Sequence, residues 1–421
     1  MEKGAVLEFC LMATHRIYYD DAYEREFTAK VLSCEAIPPD LKAGRTQQAW
    51  AVVLDRTALY PTSGGQPHDL GKLGDGAVLD VRDDGEEVVH IVDRRLEAGP
   101  VAGCVDWNRR FDHMQQHTGQ HLLSAMFQER FGLPTLSFHL GEDFCTIDLR
   151  GPEPSDEILE GAERAANTII FEDRAITVRY ATEEQLAEMG VRKQVQREGI
   201  LRVIEITGAD LQPCGGTHVR TTGQIGLVLV RRRSKVRQDW RIEFVCGGRA
   251  ERAARADFRN VRNVAQQLNC APDEAADAAK RLAAERDAHF ASLRATLERL
   301  ALAEAALTLQ SFADSAEEPL VVERVIDGTP PEYLSLFAAA LVKRAKVVAL
   351  VASAESGDVV FAQHAAASHD MAALVKRVLA EVGGKGGGAR NFARGKVSDI
   401  RAVPKAIELA RTLLSSVSRI S

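Results

Sequence analysis

Two short motifs hold the residues best suited to chemistry: His117-Thr118-Gly119-Gln120-His121 and, 93 residues after the second histidine, Cys214-Gly215-Gly216-Thr217-His218. Residues 106–131 place Trp107, Phe111, Met114, Leu122 and Ala125 at spacings of three, four and their multiples, which predicts one helix. Positions i and i+4 share a helix face, so His117 and His121 present their imidazoles the same way. Two imidazoles and a soft thiolate, with a further histidine four residues after it, suit zinc. A single His-x-x-x-His on a helix is usually a pair of ordinary histidines. The second motif, with glycines between its ends, turns the balance toward a metal site formed by His117, His121, Cys214 and His218. Gly119 costs the helix about 1 kcal/mol relative to alanine, a penalty that predicts close approach of another element.

The elements that must position these residues are read as an α+β arrangement. Residues 26–33, 48–54, 77–81 and 88–92 read as short strands separated by glycine-rich or acidic turns, which predicts a small N-terminal β-barrel over residues 14–105. Within it, Pro61-Thr-Ser-Gly64-Gly65-Gln66 forms a turn whose backbone N–H groups could meet a carbonyl or phosphate, although most Gly-Gly pairs are only turns. After the histidine helix, strands 135–140 and 144–149, a helix 155–171, strands 176–180 and 201–206, and a charged helix 182–189 complete an α+β core over residues 106–250. Residues 251–315 are rich in Ala, Leu, Glu and Arg and predict a helical arm. A linker at 313–319 leads to an α/β C-terminal domain, 316–421, with its own glycine-rich segment at 383–388.

Charge is informative locally rather than globally. The chain has 53 basic and 60 acidic residues, a net of −7, so no whole-molecule nucleic-acid signature exists. Arg231, Arg232, Arg233, Lys235, Arg237 and Arg241 face only Asp239 in sequence, and form either a solvated face or a phosphate-contacting patch. Residues 383–421 carry eight basic and two acidic side chains, among them Lys385, Arg394 and Lys396. Seven cysteines without a framework argue for a reducing compartment. No stretch reaches the ~20 apolar residues of a membrane span. The apolar stretch at 5–13 reads as a loose extension ahead of a start at Met12, and the expected location is cytoplasmic.

The two motifs and the segment around Gly64 resemble those of the AlaX family of alanyl-tRNA editing proteins, in its long form with a C-terminal extension. The resemblance runs from about Arg16 to the C-terminus; Leu59 stands where an aromatic is usual, and Arg390-Asn391 and Arg394-Gly-Lys replace the usual residues after the C-terminal glycines. It implies that the 106–250 core is a zinc-containing editing domain acting on tRNA(Ala) mischarged with serine or glycine, by hydrolysis of the 3′-terminal ester. It also places the threonine matching Thr57 beside the amino-acid pocket, where its hydroxyl would read serine against alanine. Thr57 and Gln120 are then the candidate catalytic residues. Gly64, Gly65, Gln66, Arg231, Arg232, Arg233, Arg241, Lys385, Arg394 and Lys396 are candidates for contacting substrate or tRNA. No amino-acid-activating segment is recognised, so charging of tRNA is not expected. A tRNA- or RNA-binding protein with structural zinc, and a zinc hydrolase of small acylated molecules, remain open alternatives. The helical arm or the C-terminal domain would support a homodimer.

Overall fold

The computed structural model describes residues 13–39, 47–189, 199–312, 319–344 and 346–417. The expected extension over residues 5–12 with its start at Met12, and the linker at 313–318, lie outside these residues. The chain forms two compact units, residues 1–263 and 264–421. None of the helices among the described residues is long and apolar enough to cross a membrane.

In the first unit, six strands pair all the way round: Glu26–Ile37, Ala49–Leu54, Glu87–Val92, Gly76–Asp84, Gly71–Leu73 and Gly99–Val105, which returns to the first. Val52, Leu54, Leu59, Val81 and Val88 fill the interior. Two of these strands were not legible as strands. Gly71–Leu73 is only three residues long, and Gly99–Val105 alternates Val101, Gly103 and Val105 inward on a weak apolar signal. Pairing closes the ring around them, because a free edge would leave backbone groups unpaired.

The helix Trp107–Phe131 follows directly. Its Asp106 cap accepts from Arg109 N, and Gly132, at φ +66°, closes it with bonds to the Gln128 and Phe127 carbonyls. The strands Val228–Val236, Asp239–Cys246, Cys145–Leu149 and Thr135–Leu140 form an antiparallel sheet in that order. The helix Asp156–Phe171, capped by Ser155, completes the core with Leu123, Phe127, Ile147, Ala166, Ile170 and Phe244. A second sheet orders Ile176–Ala181, Leu201–Ile206 and Asp210–Pro213, all antiparallel. The close approach expected at Gly119 is present: a Cβ there would lie 2.3 Å from Cys246 Sγ.

The expected helical arm is two helices, Gly247–Gln267 and Ala275–Gln310, broken where Pro272 begins a single 3₁₀ turn. In the second unit the sheet order is Leu320–Val325, Val347–Ala352, Asp358–Gln363, Phe392–Val397, Gly384–Ala389, the first pair parallel and the rest antiparallel. Alternation along Val347–Ala352 sends Val348 and Leu350 to one core and Val347, Ala349 and Val351 to the other. Helices therefore cover both faces, which explains the unbroken apolar run. The glycine-rich segment is a strand against its propensity. A Cβ at Gly386 or Gly395 would stand 2.7 or 2.3 Å from Leu379 Cδ1, so the glycines let the helix Met371–Val382 lie flat on the hairpin.

Candidate metal centre

The helix brings His117 and His121 together, and the strand Asp210–Pro213 delivers Cys214 to them. Cys214 N donates to the Arg202 carbonyl as the strand ends. Arg202 then returns Nη1 bonds to the carbonyls of Cys214 (2.8 Å) and Gly216 (2.9 Å), which fixes the turn. Gly216 passes so close to His117 that a Cβ would stand 2.2 Å from Cε1 and 2.4 Å from Nδ1. The ligand atoms of His117, His121, Cys214 and His218 all lie within 4.8 Å of one another.

Hydrogen bonds set the tautomers. His117 Nδ1 faces Gln66 Oε1 at 2.8 Å, and a carbonyl oxygen only accepts, so Nδ1 carries the proton. His121 Nδ1 faces Asp210 Oδ2 at 3.0 Å in the same sense. Thr118 donates its hydroxyl proton to the Met114 carbonyl at 2.8 Å, so it accepts from His218 Nδ1 at 3.1 Å. All three Nδ1 atoms are thus held from behind. His117 Nε2 and His218 Nε2 meet Cys214 Sγ at 3.4 and 3.3 Å. Three oriented Nε2 donors around one sulfur, each backed by an acceptor, fit zinc through donor type and through the supporting bonds.

The electrostatics agree with a sulfur prepared to ionise. Burial opposes charge on Cys214, but the imidazoles of His117 and His218 outweigh it and the thiol ionises well below its usual value. Burial also pulls His121 down, yet the bonds from Asp210 and Cys214 more than offset it and raise its pKa to about 9. Burial takes His218 down to about 3, leaving it a neutral donor.

Beside the cluster lies a cavity of about 550 Å³, walled by Tyr19, Tyr60, Gly64, Gln120, Ser137 and Phe138 together with His117, His121 and Cys214. Of the two candidate catalytic residues, Gln120 lines it. Its Nε2 donates to Ser124 Oγ at 2.9 Å. Thr57 is not among the lining residues. It is fully buried, with Oγ1 2.8 Å from His90 Nε2 and accepting from Leu59 N at 3.1 Å. His90 directs Nδ1 at the Val52 carbonyl (3.2 Å), and burial lowers its pKa to about 4. The neutral ring therefore protonates Nδ1 and accepts at Nε2, and the Thr57 hydroxyl proton points to His90.

Gly64 reaches the cavity, at φ +59°. Gly65, at φ +88°, packs against the Phe138 carbonyl. Gln66 stands behind the cluster, holding His117 through Oε1 and Thr217 Oγ1 through Nε2 at 2.8 Å. Three of the six basic residues of the run are paired within the first unit. Arg231 binds Asp257, Arg233 binds Glu153 at 3.1 Å and Asp156, and Arg241 binds Asp148 at 2.8 Å, while Arg232 is exposed. In the second unit Lys385 and Lys396 sit opposite each other, and Arg394 is two residues from Lys396, so all three share one exposed hairpin face.

Asp210, Arg202 and Thr118 were missed by sequence reasoning. Thr118 lay inside the first motif and Asp210 four residues before Cys214. Their functions depend on tertiary partners, and no spacing rule marks them.

A family model described as the threonyl and alanyl tRNA synthetase second additional domain matches residues 201–243, and a DHHA1 domain model matches residues 317–416. The alanyl-tRNA editing protein AlaX-L of Pyrococcus horikoshii is 30% identical over 403 residues, covering 91% of this chain and 94% of that protein. The alanyl-tRNA editing protein Aarsd1-A of Xenopus laevis is 33% identical over 270 residues, 62% of this chain and 66% of its own. The alanine–tRNA ligase of Pyrococcus abyssi is 29% identical over 425 residues, 96% of this chain but 44% of the ligase. These matches place the molecule among proteins that carry the threonyl and alanyl tRNA synthetase second additional domain together with a DHHA1 domain. Within that class, the chain belongs to the AlaX family of alanyl-tRNA editing proteins.

Proposed function

We propose that the chain is a trans-acting deacylase that hydrolyses the 3′-terminal ester of tRNA(Ala) mischarged with serine, and also accepts glycine. The supporting observation is the cluster of three Nε2 donors and one sulfur, of which His117, His121 and Cys214 reach the wall of the 550 Å³ cavity. His117, His121, Cys214 and His218 would hold a zinc ion; with all four bound a tetrahedral ion keeps no open position, so it would supply orientation of the tRNA end, and Lewis-acid polarisation only with one of the four displaced. The chain's own residues do the remaining positioning. Gln120 presents its amide at the wall, where its carbonyl oxygen would accept from the α-amino group of the acyl residue. Tyr19, Tyr60 and Phe138 form an aromatic wall that excludes bulk water around the terminal nucleotide. Gln66, Thr118 and Asp210 hold the imidazoles in register. In the second unit, Lys385, Arg394 and Lys396 would hold tRNA phosphates, since like charges placed directly across a hairpin repel unless an anion lies over them.

The test is parallel incubation with Ser-tRNA(Ala), Gly-tRNA(Ala) and Ala-tRNA(Ala), before and after verified metal removal. The reading requires loss of the first two charged species, survival of Ala-tRNA(Ala), and loss of activity with the metal. Survival of Ser-tRNA(Ala) with metal-loaded enzyme would show a binder with a structural metal instead.

A further inference from the structure

A second cavity of the first unit is larger than the one beside the cluster. It measures about 840 Å³ and lies over the first turns of the same helix, lined by Trp107, Arg109, Phe111 and His113, with Arg249 and Arg252 from the helix Gly247–Gln267. Its volume is in the range of small-molecule sites. His113 is 3% exposed, yet its Nδ1 has no hydrogen-bond partner among the described residues. A buried unpaired polar atom costs about 1–3 kcal/mol, so an apolar residue would serve a purely structural role better.

The charge around this atom favours an anion. Asp112 and Glu142 are the carboxylates of the lining, and Asp112 is already neutralised by bonds from Arg249 Nε and Nη2 at 2.6–3.0 Å. Arg109 donates Nε to the His68 carbonyl at 3.0 Å. Arg252 is exposed and its Nη1 lies back over Gly248, where a Cβ would stand 3.4 Å away. The lining thus holds two guanidiniums, Arg109 and Arg252, against one carboxylate, Glu142, that Arg249 does not bind. Burial lowers the pKa of His113 to about 3, and Arg109, Arg249 and Arg110 add to that push, which marks a positive potential at the ring. The helix N-terminus adds to it.

We propose that this cavity is a phosphate-binding subsite, in which His113, Arg109 and Arg252 hold a backbone phosphate of the RNA strand whose end occupies the cluster cavity. This rests on the reading of the chain as acting on tRNA. Four residues of helix put His113 about 6 Å along the axis from His117, so one strand can reach both cavities. The Ser63–Gln66 turn, which bonds to itself at 2.9 and 3.1 Å, lies between them in sequence order: Ser63 and Gly64 line the cluster cavity and Pro67 lines this one. Trp107 and Phe111, 5.5 Å apart between centroids, supply an aromatic wall for a neighbouring base or sugar.

The test follows the His113 ring and Trp107 indole signals by NMR in the full, metal-loaded chain. Three probes are titrated: unacylated acceptor-stem RNA, adenosine monophosphate and inorganic phosphate. RNA should shift both signals saturably and more tightly than either small probe. Arg252→Glu should weaken RNA binding at least about tenfold, as expected for loss of a hydrogen bond to a charged group. It should also flatten the slope of log affinity against log salt by about 0.7. His113→Leu should leave Tm unchanged or higher while weakening RNA binding, the pattern of a residue kept for a ligand. A fall in Tm with unaltered RNA binding would overturn the role of His113. Saturation by phosphate or adenosine monophosphate without competition from RNA would overturn the assignment to an RNA strand, and silence to all three would overturn the subsite. None of these readouts requires hydrolysis, so failure of the deacylase reading would be seen separately.

Discussion

Replacing Thr57 by valine separates two accounts of this residue. From sequence, the hydroxyl reads serine against alanine, and its loss would change relative rates about threefold to tenfold, the worth of one hydrogen bond of ~0.5–1.5 kcal/mol. In the structure the hydroxyl lies between His90 Nε2 at 2.8 Å and Leu59 N at 3.1 Å, and both Thr57 and His90 are fully buried. Valine keeps the shape but leaves two buried polar atoms unpaired, at ~1–3 kcal/mol each. The added methyl recovers up to ~0.8 kcal/mol. The expected net loss is about 1–6 kcal/mol, or roughly 2–24 °C in Tm for a unit of this size. Denaturant unfolding of wild type, Thr57→Val and Thr57→Ser, with His90→Leu completing a double-mutant cycle, measures it. Thr57→Ser should restore most of the stability, and the cycle should show coupling of at least about 1 kcal/mol. Stability within ~0.5 kcal/mol of wild type, combined with lost preference for Ser-tRNA(Ala), would refute this reasoning and return the hydroxyl to the substrate.

Three further outcomes are expected. Asp210→Asn leaves a neutral acceptor behind His121, and zinc affinity measured by chelator competition should fall about 10- to 100-fold with the fold intact. Gly216→Ala forces a methyl onto the His117 ring, so metal content per chain by elemental analysis should drop sharply even where circular dichroism is unchanged. Acid should weaken the first unit through His90. Its folded pKa, about 4, lies below the ordinary 6.5, so the unfolded chain takes up the proton first. Stability from this group is then full above pH 6.5 and lost as pH falls toward 4, by up to about 3 kcal/mol; the Thr57→Val/His90→Leu double variant should show a shallower slope by that one proton, with His113 and His218 supplying what remains.

The sequence by itself determined the local, periodic and covalently short-range parts of this protein. His117 and His121 share a face because a helix has 3.6 residues per turn, and Cys214 and His218 converge because glycines let four residues turn tightly. The apolar repeat predicted the helix Trp107–Phe131 to within a residue, and the helix expected over 155–171 is Asp156–Phe171, with Ser155 as its cap. The tertiary structure decided everything that depends on a distant partner. Gly71–Leu73 and Gly99–Val105 become strands because a ring needs them, and Gly384–Ala389 because Leu379 needs a flat surface. The run Arg231–Arg233 reads as free charge until Asp257, Glu153 and Asp156 are brought to it. Only the fold shows that the Thr57 hydroxyl has a hydrogen-bond partner in His90, 33 residues away in sequence. Asp210 gains its place only when it meets the far side of His121. A side chain's type fixes which bonds it can make. Which of them it does make depends on what folding places within about 3 Å, and periodicity carries no information about that.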